Sequence, residues 1–422
     1  MNDLEYSNLI AKLEDLYSTN AYKVVQVAFG QKQKNGTYLD KKCIRFGVVQ
    51  KVPAYTLPPE WVIPKTITID GVDYETDVYV APEQVVAQPA YCNPPGTNSV
   101  PPVVTAPVSY NRALAVPLSG GVSFSAPPQT GFVNAGTLGG VVMDLFDYKI
   151  VGLTNSHVGS TPGGNIREAV TPLIIASDTT WGATASAYQN IKQEQPSSWD
   201  NYPSVNYIST LKRAYPLTTT GTNYIDACVV NLNDSIVSTS SWYPLCANFY
   251  TPPIFATTTE INSLSVNNPV FKSGRTTGPI GDTNACKLII SNTSTVLSVA
   301  YDFGNNLTFS NCLTITSPST NTVVGSAGDS GSFVYALVNS TNPLTSAWRI
   351  VGLFFAGATD GSSGYACRID NVANLLGLSA YTGTTVSATP SLCSYVTLPY
   401  STYSNTISTT IGGKTYWQVG RI

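Results

Sequence analysis

From about residue 108 to residue 380 the chain runs as short apolar stretches separated by polar turns, with almost no segment in which apolar side chains return every third or fourth position. No other feature of the sequence narrows the fold as far. Short apolar runs between clusters of Gly, Pro, Asn and Ser are strands, because the chain reverses at each cluster and alternate side chains face opposite sides. A long region made of such strands closes into a sandwich or a barrel rather than a helical bundle. One short helix is expected within it, over 371–378.

The N-terminal part reads differently. Leu4, Leu9, Ile10, Leu13 and Leu16 recur near helical spacing, with Glu5, Lys12, Glu14 and Asp15 between them. That is an amphipathic helix rather than a signal peptide, so synthesis in the cytoplasm is expected. Incorporation into a particle or export by a non-classical route stays open. Two strands follow, over 24–29 and 43–49, with Asn35-Gly36 in the connection between them as a hairpin signal. Pro53, Pro58, Pro59 and Pro64 punctuate an extended stretch, and 67–74 reads as a tight hairpin about Asp70-Gly71. Residues 1–90 are therefore expected as a small α+β domain and 91–107 as a Pro/Gly-rich linker. The β region takes 108–385, and 386–422 forms a Thr/Ser/Tyr-rich extension. Part of 165–224 reads as an inserted surface loop.

Composition removes several function classes. Charged residues make up 11% of the chain, against about 25% in ordinary globular proteins. A net charge of −3 argues against a nucleic-acid partner. No apolar run approaches the roughly 20 residues of a membrane-spanning helix. Eight cysteines contain no C-x-x-C pair, and one histidine cannot complete a usual zinc set. No metal or cofactor is expected. The thiols read as free and buried, with disulfides left open for a protein living outside the cell.

That one histidine, His157, closes the apolar run Ile150-Val151-Gly152-Leu153, and far downstream stands Gly328-Asp329-Ser330-Gly331-Ser332. Acyl transfer by serine needs a nucleophile, a base for its proton, a carboxylate to orient that base, and donors for the oxyanion. Ser330 is the candidate nucleophile, because glycines on both sides let the backbone turn sharply and present the hydroxyl. The backbone amides of Gly328 and Ser330 are the candidate oxyanion donors. His157 is the candidate base, since a neutral imidazole accepts a proton near neutral pH. Asp226, in Tyr224-Ile225-Asp226-Ala227-Cys228-Val229, is the candidate orienting carboxylate, because an acid in an apolar run needs a partner. Asp200 and Asp234 are rivals in more polar surroundings. Asp329 is expected to fix the turn by pairing with a buried amine or backbone donors. Along the chain these candidates come in the order His157, Asp226, Ser330.

With these residues in view, the chain resembles the trypsin-like serine peptidases of the chymotrypsin superfamily, in particular the signal-less bacterial and plant narrow-leaf type proteins. Gly136-Thr137-Leu138-Gly139-Gly140-Val141-Val142 and Leu153-Thr154-Asn155-Ser156-His157-Val158 resemble the strands leading to the histidine. Residues 325–333 resemble the serine loop, Val270-Phe271-Lys272-Ser273-Gly274-Arg275-Thr276-Thr277-Gly278 a second-barrel strand and turn, and 351–357 the strand lining the primary specificity pocket. Ile63-Pro64-Lys65, Asp70-Gly71-Val72 and Thr76-Asp77-Val78 resemble the small N-terminal domain of those relatives. The resemblance spans about residues 20–380. It implies a mainly β fold, a chymotrypsin-like double β-barrel preceded by a small α+β domain, and a serine endopeptidase acting on polypeptide. The pocket residues it implies are Val324, Phe355, Ala356 and Gly357. Phe355 stands where digestive trypsins carry serine, so a hydrogen bond to Asp226 is expected to be missing. Val324 provides no acidic pocket base, which points to an apolar or small side chain before the cleaved bond. The alternatives are a structural or assembly protein retaining a protease shell, such as a phage or virus particle component, and a protease that only processes itself within 89–107. Assembly with copies of itself or another partner stays open.

Overall fold

The computed structural model describes residues 3–20, 22–87, 90–91, 118–125, 134–159, 174–175, 192–195, 206–215, 217–232, 237, 252–281, 287–301, 305–318, 322–338, 347–383, 405–411 and 414–420. Most of the expected linker, of the 165–224 insertion and of the C-terminal extension lies outside them.

Helix α1 (Asp3–Ser18) forms where the apolar spacing predicts it, and Tyr6, Leu9, Ile10, Leu13 and Leu16 on its inner face are buried. That face packs on β1 (Gln26–Lys34), which turns into β2 (Thr37–Val48) through Asn35 and Gly36. Both turn residues have positive φ, 51° and 79°, the geometry whose twist matches that of the two strands. The same device joins β3 (Thr66–Ile69) to β4 (Val72–Val80), with φ of 50° at Asp70 and 78° at Gly71. Two very short strands follow, β5 (Val85–Ala87) and β6 (Ala90–Tyr91).

The next group carries β7 (Val122–Phe124), β8 (Asn134–Leu138), β9 (Gly140–Asp144), β10 (Ile150–Thr154) and a single turn of helix, α2 (Ser156–Gly159). It continues with β11 (Ile174–Ile175), β12 (Lys192–Gln195), β13 (Asn206–Ala214), β14 (Thr222–Asn223) and β15 (Cys228–Leu232). The last group holds β16 (Ile254–Phe255), α3 (Thr258–Ser263), β17 (Val270–Gly274), β18 (Gly278–Ile280), β19 (Ile289–Tyr301) and β20 (Asn305–Phe309). After these come β21 (Cys312–Thr316), β22 (Phe333–Val338), β23 (Ala347–Ala358), β24 (Ser363–Arg368), α4 (Ile369–Leu376) and β25 (Leu378–Ala380). A separate hairpin, β26 (Asn405–Ile411) and β27 (Lys414–Gly420), lies in the C-terminal extension.

The fold is mainly β, as the strand-and-turn pattern predicts. Among the described residues one sheet runs β11-β13-β15-β10-β9-β25 and a larger one runs β18-β17-β22-β23-β24-β21-β19-β1-β2-β4-β3. The N-terminal strands thus continue the sheet of the last group, with Gln26 opposite Leu297 and Phe29 opposite Ser294. Strand β5 pairs with both β19 and β23, so β23, β24, β21, β19 and β5 close on themselves. The largest apolar cluster draws Val142, Val151, Leu153 and Val229 from the first sheet and Leu313, Val351, Phe354 and Phe355 from the second. Each such side chain contributes roughly 1.5–3 kcal/mol by leaving water. Helix α4 ends in Gly377 at φ 64°, and β25 then returns to β9, which ties the end of the second sheet to the first. Among the described residues Cys43, Cys228, Cys312 and Cys367 are free and buried, and no helix is long and apolar enough to cross a membrane.

Candidate active site

His157 and Asp226 meet because their strands are neighbours. β10 pairs with β15, Thr154 opposite Cys228, so His157 just after one strand faces Asp226 just before the other. The turn between is fixed by polar contacts: the Asn155 amide donates to the Asp226 carbonyl at 2.6 Å and the Ser156 hydroxyl to the Ala227 carbonyl at 2.7 Å. His157 Nδ1 is hydrogen-bonded to Asp226 Oδ2, and the His157 main-chain N–H donates to Oδ1 at 3.2 Å. With Nδ1–H given to a carboxylate, Nε2 is the basic nitrogen of the ring. His157 and Asp226 are both 0% exposed, so the carboxylate must be satisfied from within the protein. Asp200 and Asp234, the rival carboxylates, lie outside the described residues.

The hydrogen bond expected to be missing at Asp226 is supplied from elsewhere. Tyr301, the last residue of β19, donates its hydroxyl to Asp226 Oδ2 at 2.7 Å. The Asp226 amide itself donates to Cys367 Sγ at 3.1 Å. Phe355 is fully buried. Its ring packs against Phe309 with centroids 4.6 Å apart, Phe309 stacks on Tyr301 at 6.0 Å, and Tyr301 meets the His157 ring edge-on at 5.7 Å. An aromatic chain thus runs from Phe355 through Phe309 and Tyr301 to His157. Tyr301 and Cys367 lie far from Asp226 in sequence, and no local pattern marks them.

Ser330 sits in the loop between β21 and β22. Its carbonyl accepts from the Thr137 N–H at 2.7 Å, and its hydroxyl donates to the Phe355 carbonyl at 3.0 Å. The Gly331 N–H donates to the Phe354 carbonyl at 2.8 Å, and the Thr137 hydroxyl to the Gly328 carbonyl at 2.8 Å. The loop is thus bound to β8 on one side and β23 on the other. Gly331 has φ 97°, and a Cβ there would stand 2.0 Å from the Thr137 carbonyl oxygen, so only glycine fits. Gly328 has φ 98°, and among the described residues neither its N–H nor that of Ser330 has an acceptor.

Asp329 fixes this loop through both a buried amine and backbone donors. Lys272 Nζ lies 2.9 Å from Asp329 Oδ2, both side chains fully buried. The N–H groups of Thr276 and Thr277 reach Oδ1 at 2.9 and 3.1 Å; the Thr277 hydroxyl and the Ser326 N–H reach Oδ2 at 2.8 and 3.1 Å. Burial alone would raise the Asp329 carboxyl, but the Lys272 charge and these donors hold it below the ordinary carboxylate range. Lys272 also lies over the Phe354 ring, 4.7 Å from its centroid.

Val324, Phe355 and Ala356 are all 0% exposed, and Gly357 is buried beside them. The Val324 N–H donates to the Gly361 carbonyl at 2.9 Å. Ala356 and Gly357 face the chain's own β5, opposite Ala87 and Val86. Among the described residues no group of three His, Cys, Asp or Glu side chains could hold a metal ion.

No family model and no curated protein matches this sequence. Among solved structures the chain is similar to one described as an alpha-lytic protease homolog, N4, with a TM-score of 0.33 and 13% identity, over 62% of this chain and 98% of that one.

Proposed function

We propose that the protein is a serine endopeptidase that hydrolyses peptide bonds through an acyl-enzyme. The observation that carries this reading is the two-point union of His157 with Asp226, ring and backbone each on one carboxylate oxygen. A carboxylate so bound sets the ring's tautomer and leaves Nε2 to act as base. In the proposed reaction the Ser330 hydroxyl leaves the Phe355 carbonyl, gives its proton to His157 Nε2 and bonds to the substrate carbonyl carbon. The oxygen of that carbonyl gains negative charge, and the Gly328 and Ser330 N–H groups are the donors within the loop to receive it. His157 then protonates the leaving amine. Water attacks the ester by the same route and frees Ser330. In this reading Val324, Phe355, Ala356 and Gly357 border the substrate pocket, and the absence of an acidic side chain among them suits a small or apolar side chain before the cleaved bond.

The test is covalent labelling with a fluorophosphonate. Labelling of the full chain is expected to be abolished by Ser330→Ala and slowed at least a thousandfold by His157→Ala, in line with loss of a catalytic base. Labelling that survives Ser330→Ala sinks the proposal. The burial of Ser330, 0% exposed, favours a second reading in which the protease shell serves as a building block of an assembly. Size-exclusion chromatography with light scattering separates the two, since a strict monomer with peptidase activity leaves the assembly reading without support.

A further inference from the structure

The two shortest strands of the N-terminal region lie on opposite sides of Ser330. β5 pairs antiparallel with β23, Ala87 opposite Ala356 and Val86 opposite Gly357. The residue before Ala356 is Phe355, whose carbonyl receives the Ser330 hydroxyl. β6 pairs antiparallel with β8, Ala90 opposite Ala135 and Tyr91 opposite Asn134. Two residues on from Ala135 is Thr137, whose N–H binds the Ser330 carbonyl. Ala87 and Ala90 are three residues apart, a reach of roughly 11 Å at most. β5 thus pairs with the strand whose residue holds the Ser330 hydroxyl, and β6 with the strand whose residue holds the Ser330 carbonyl.

The order of the two strands along the chain is the order a substrate would need. A serine acyl transfer keeps the N-terminal half of the peptide on the nucleophile and releases the C-terminal half toward the base. Here the N-terminal half, β5, lies along the strand that holds the Ser330 hydroxyl. The C-terminal half, β6, lies along β8, where a Cβ on Gly136 would come 2.5 Å from Val158, the neighbour of His157. Pairing along an open strand edge is also the general way an extended peptide is held by a protein. The zero exposure of His157, Asp226 and Ser330 fits a groove that is already filled.

We infer that β5 and β6 occupy the peptide-binding groove of their own chain, so that the enzyme is latent until they are withdrawn. This rests on the peptidase reading of Ser330 given above. The ligand class of the groove is an extended peptide backbone, held by strand pairing on both sides of the serine.

The test compares fluorophosphonate labelling of Ser330 in the full wild-type chain and in Val86→Pro, which removes the N–H from the middle of β5. Labelling is expected to be at least tenfold faster in the variant, and a synthetic peptide of residues 83–93 is expected to slow it again. Equal rates in a variant that melts like the wild type overturn the latency and leave the peptidase reading standing. Absence of labelling in both folded chains overturns the peptidase reading, and the latency with it. Because β5 also closes the second sheet, Val86→Pro can fail to fold. Val86→Gly, which keeps the N–H and loosens the strand, is then read by the same comparison, with the same outcomes deciding.

Discussion

Tyr301 is a positioning residue on this account, and its hydroxyl can be removed without changing the packing of its ring. Tyr301→Phe takes away the 2.7 Å donor to Asp226 Oδ2 while leaving the contacts with Phe309 and His157. A hydrogen bond to a charged group contributes about 1.5–3 kcal/mol. Labelling of Ser330 is expected to slow by about tenfold or more, with a melting temperature close to that of the wild type; an unchanged rate removes Tyr301 from the machinery. The Lys272–Asp329 pair gives a second prediction. Lys272→Met strands a buried carboxylate, which costs about 3–5 kcal/mol and should appear in thermal unfolding. The Asp329 carboxyl titrates lower in the folded chain than in the unfolded one. Its stabilisation is therefore complete above the ordinary Asp value near 4 and is lost as pH falls from there through the depressed folded value. Asp329→Asn should flatten that part of the acid stability profile. The candidates His157, Asp226 and Ser330 were legible because each sits in a short local pattern with a chemical need. Tyr301 was not: Phe355 shows that a donor is absent from one place, but which distant side chain makes it good depends on how β19 packs.

At the scale of elements, the turns were the easiest to read and the shortest strands the hardest. Asn35-Gly36 and Asp70-Gly71 declare their hairpins because few residues accept positive φ. The helix predicted over 371–378 forms two residues earlier, as Ile369–Leu376, because Gly377 stops it. β5 and β6 carry too few residues to show any period, and both of their partners are remote in sequence. The serine loop supplies the prediction at this scale. Gly331→Ala forces a methyl group against the Thr137 carbonyl at a φ of 97°. It is expected to cost at least about 3 kcal/mol by strain and clash, and to separate the loop from β8. A melting temperature within a degree or two of the wild type speaks against the loop geometry described above.

At the scale of the molecule, the N-terminal region and the second sheet share more than a boundary. α1 places Tyr6 over Arg368, 4.9 Å from ring centroid to guanidinium, and Tyr6 donates its hydroxyl to Asn311. Arg368 in turn binds Asp370 at 2.7 Å. Leu9→Ala, at a fully buried position of α1, is expected to cost about 2–5 kcal/mol. Calorimetry should show the whole transition of the second sheet moving with it; a second-sheet transition left in place would mean that the helix unfolds independently. The sharing of β1 with β19 also sets a timetable for synthesis. Gln26 leaves the ribosome some 270 residues before its partner Leu297. At about 5–20 residues per second that is roughly 15–55 s. For that interval the outer edge of β1 has its hydrogen-bonding groups unmatched. The earliest part of the chain to be made is among the last to be completed, and a nascent chain stalled before β19 would present a bare strand edge to its neighbours.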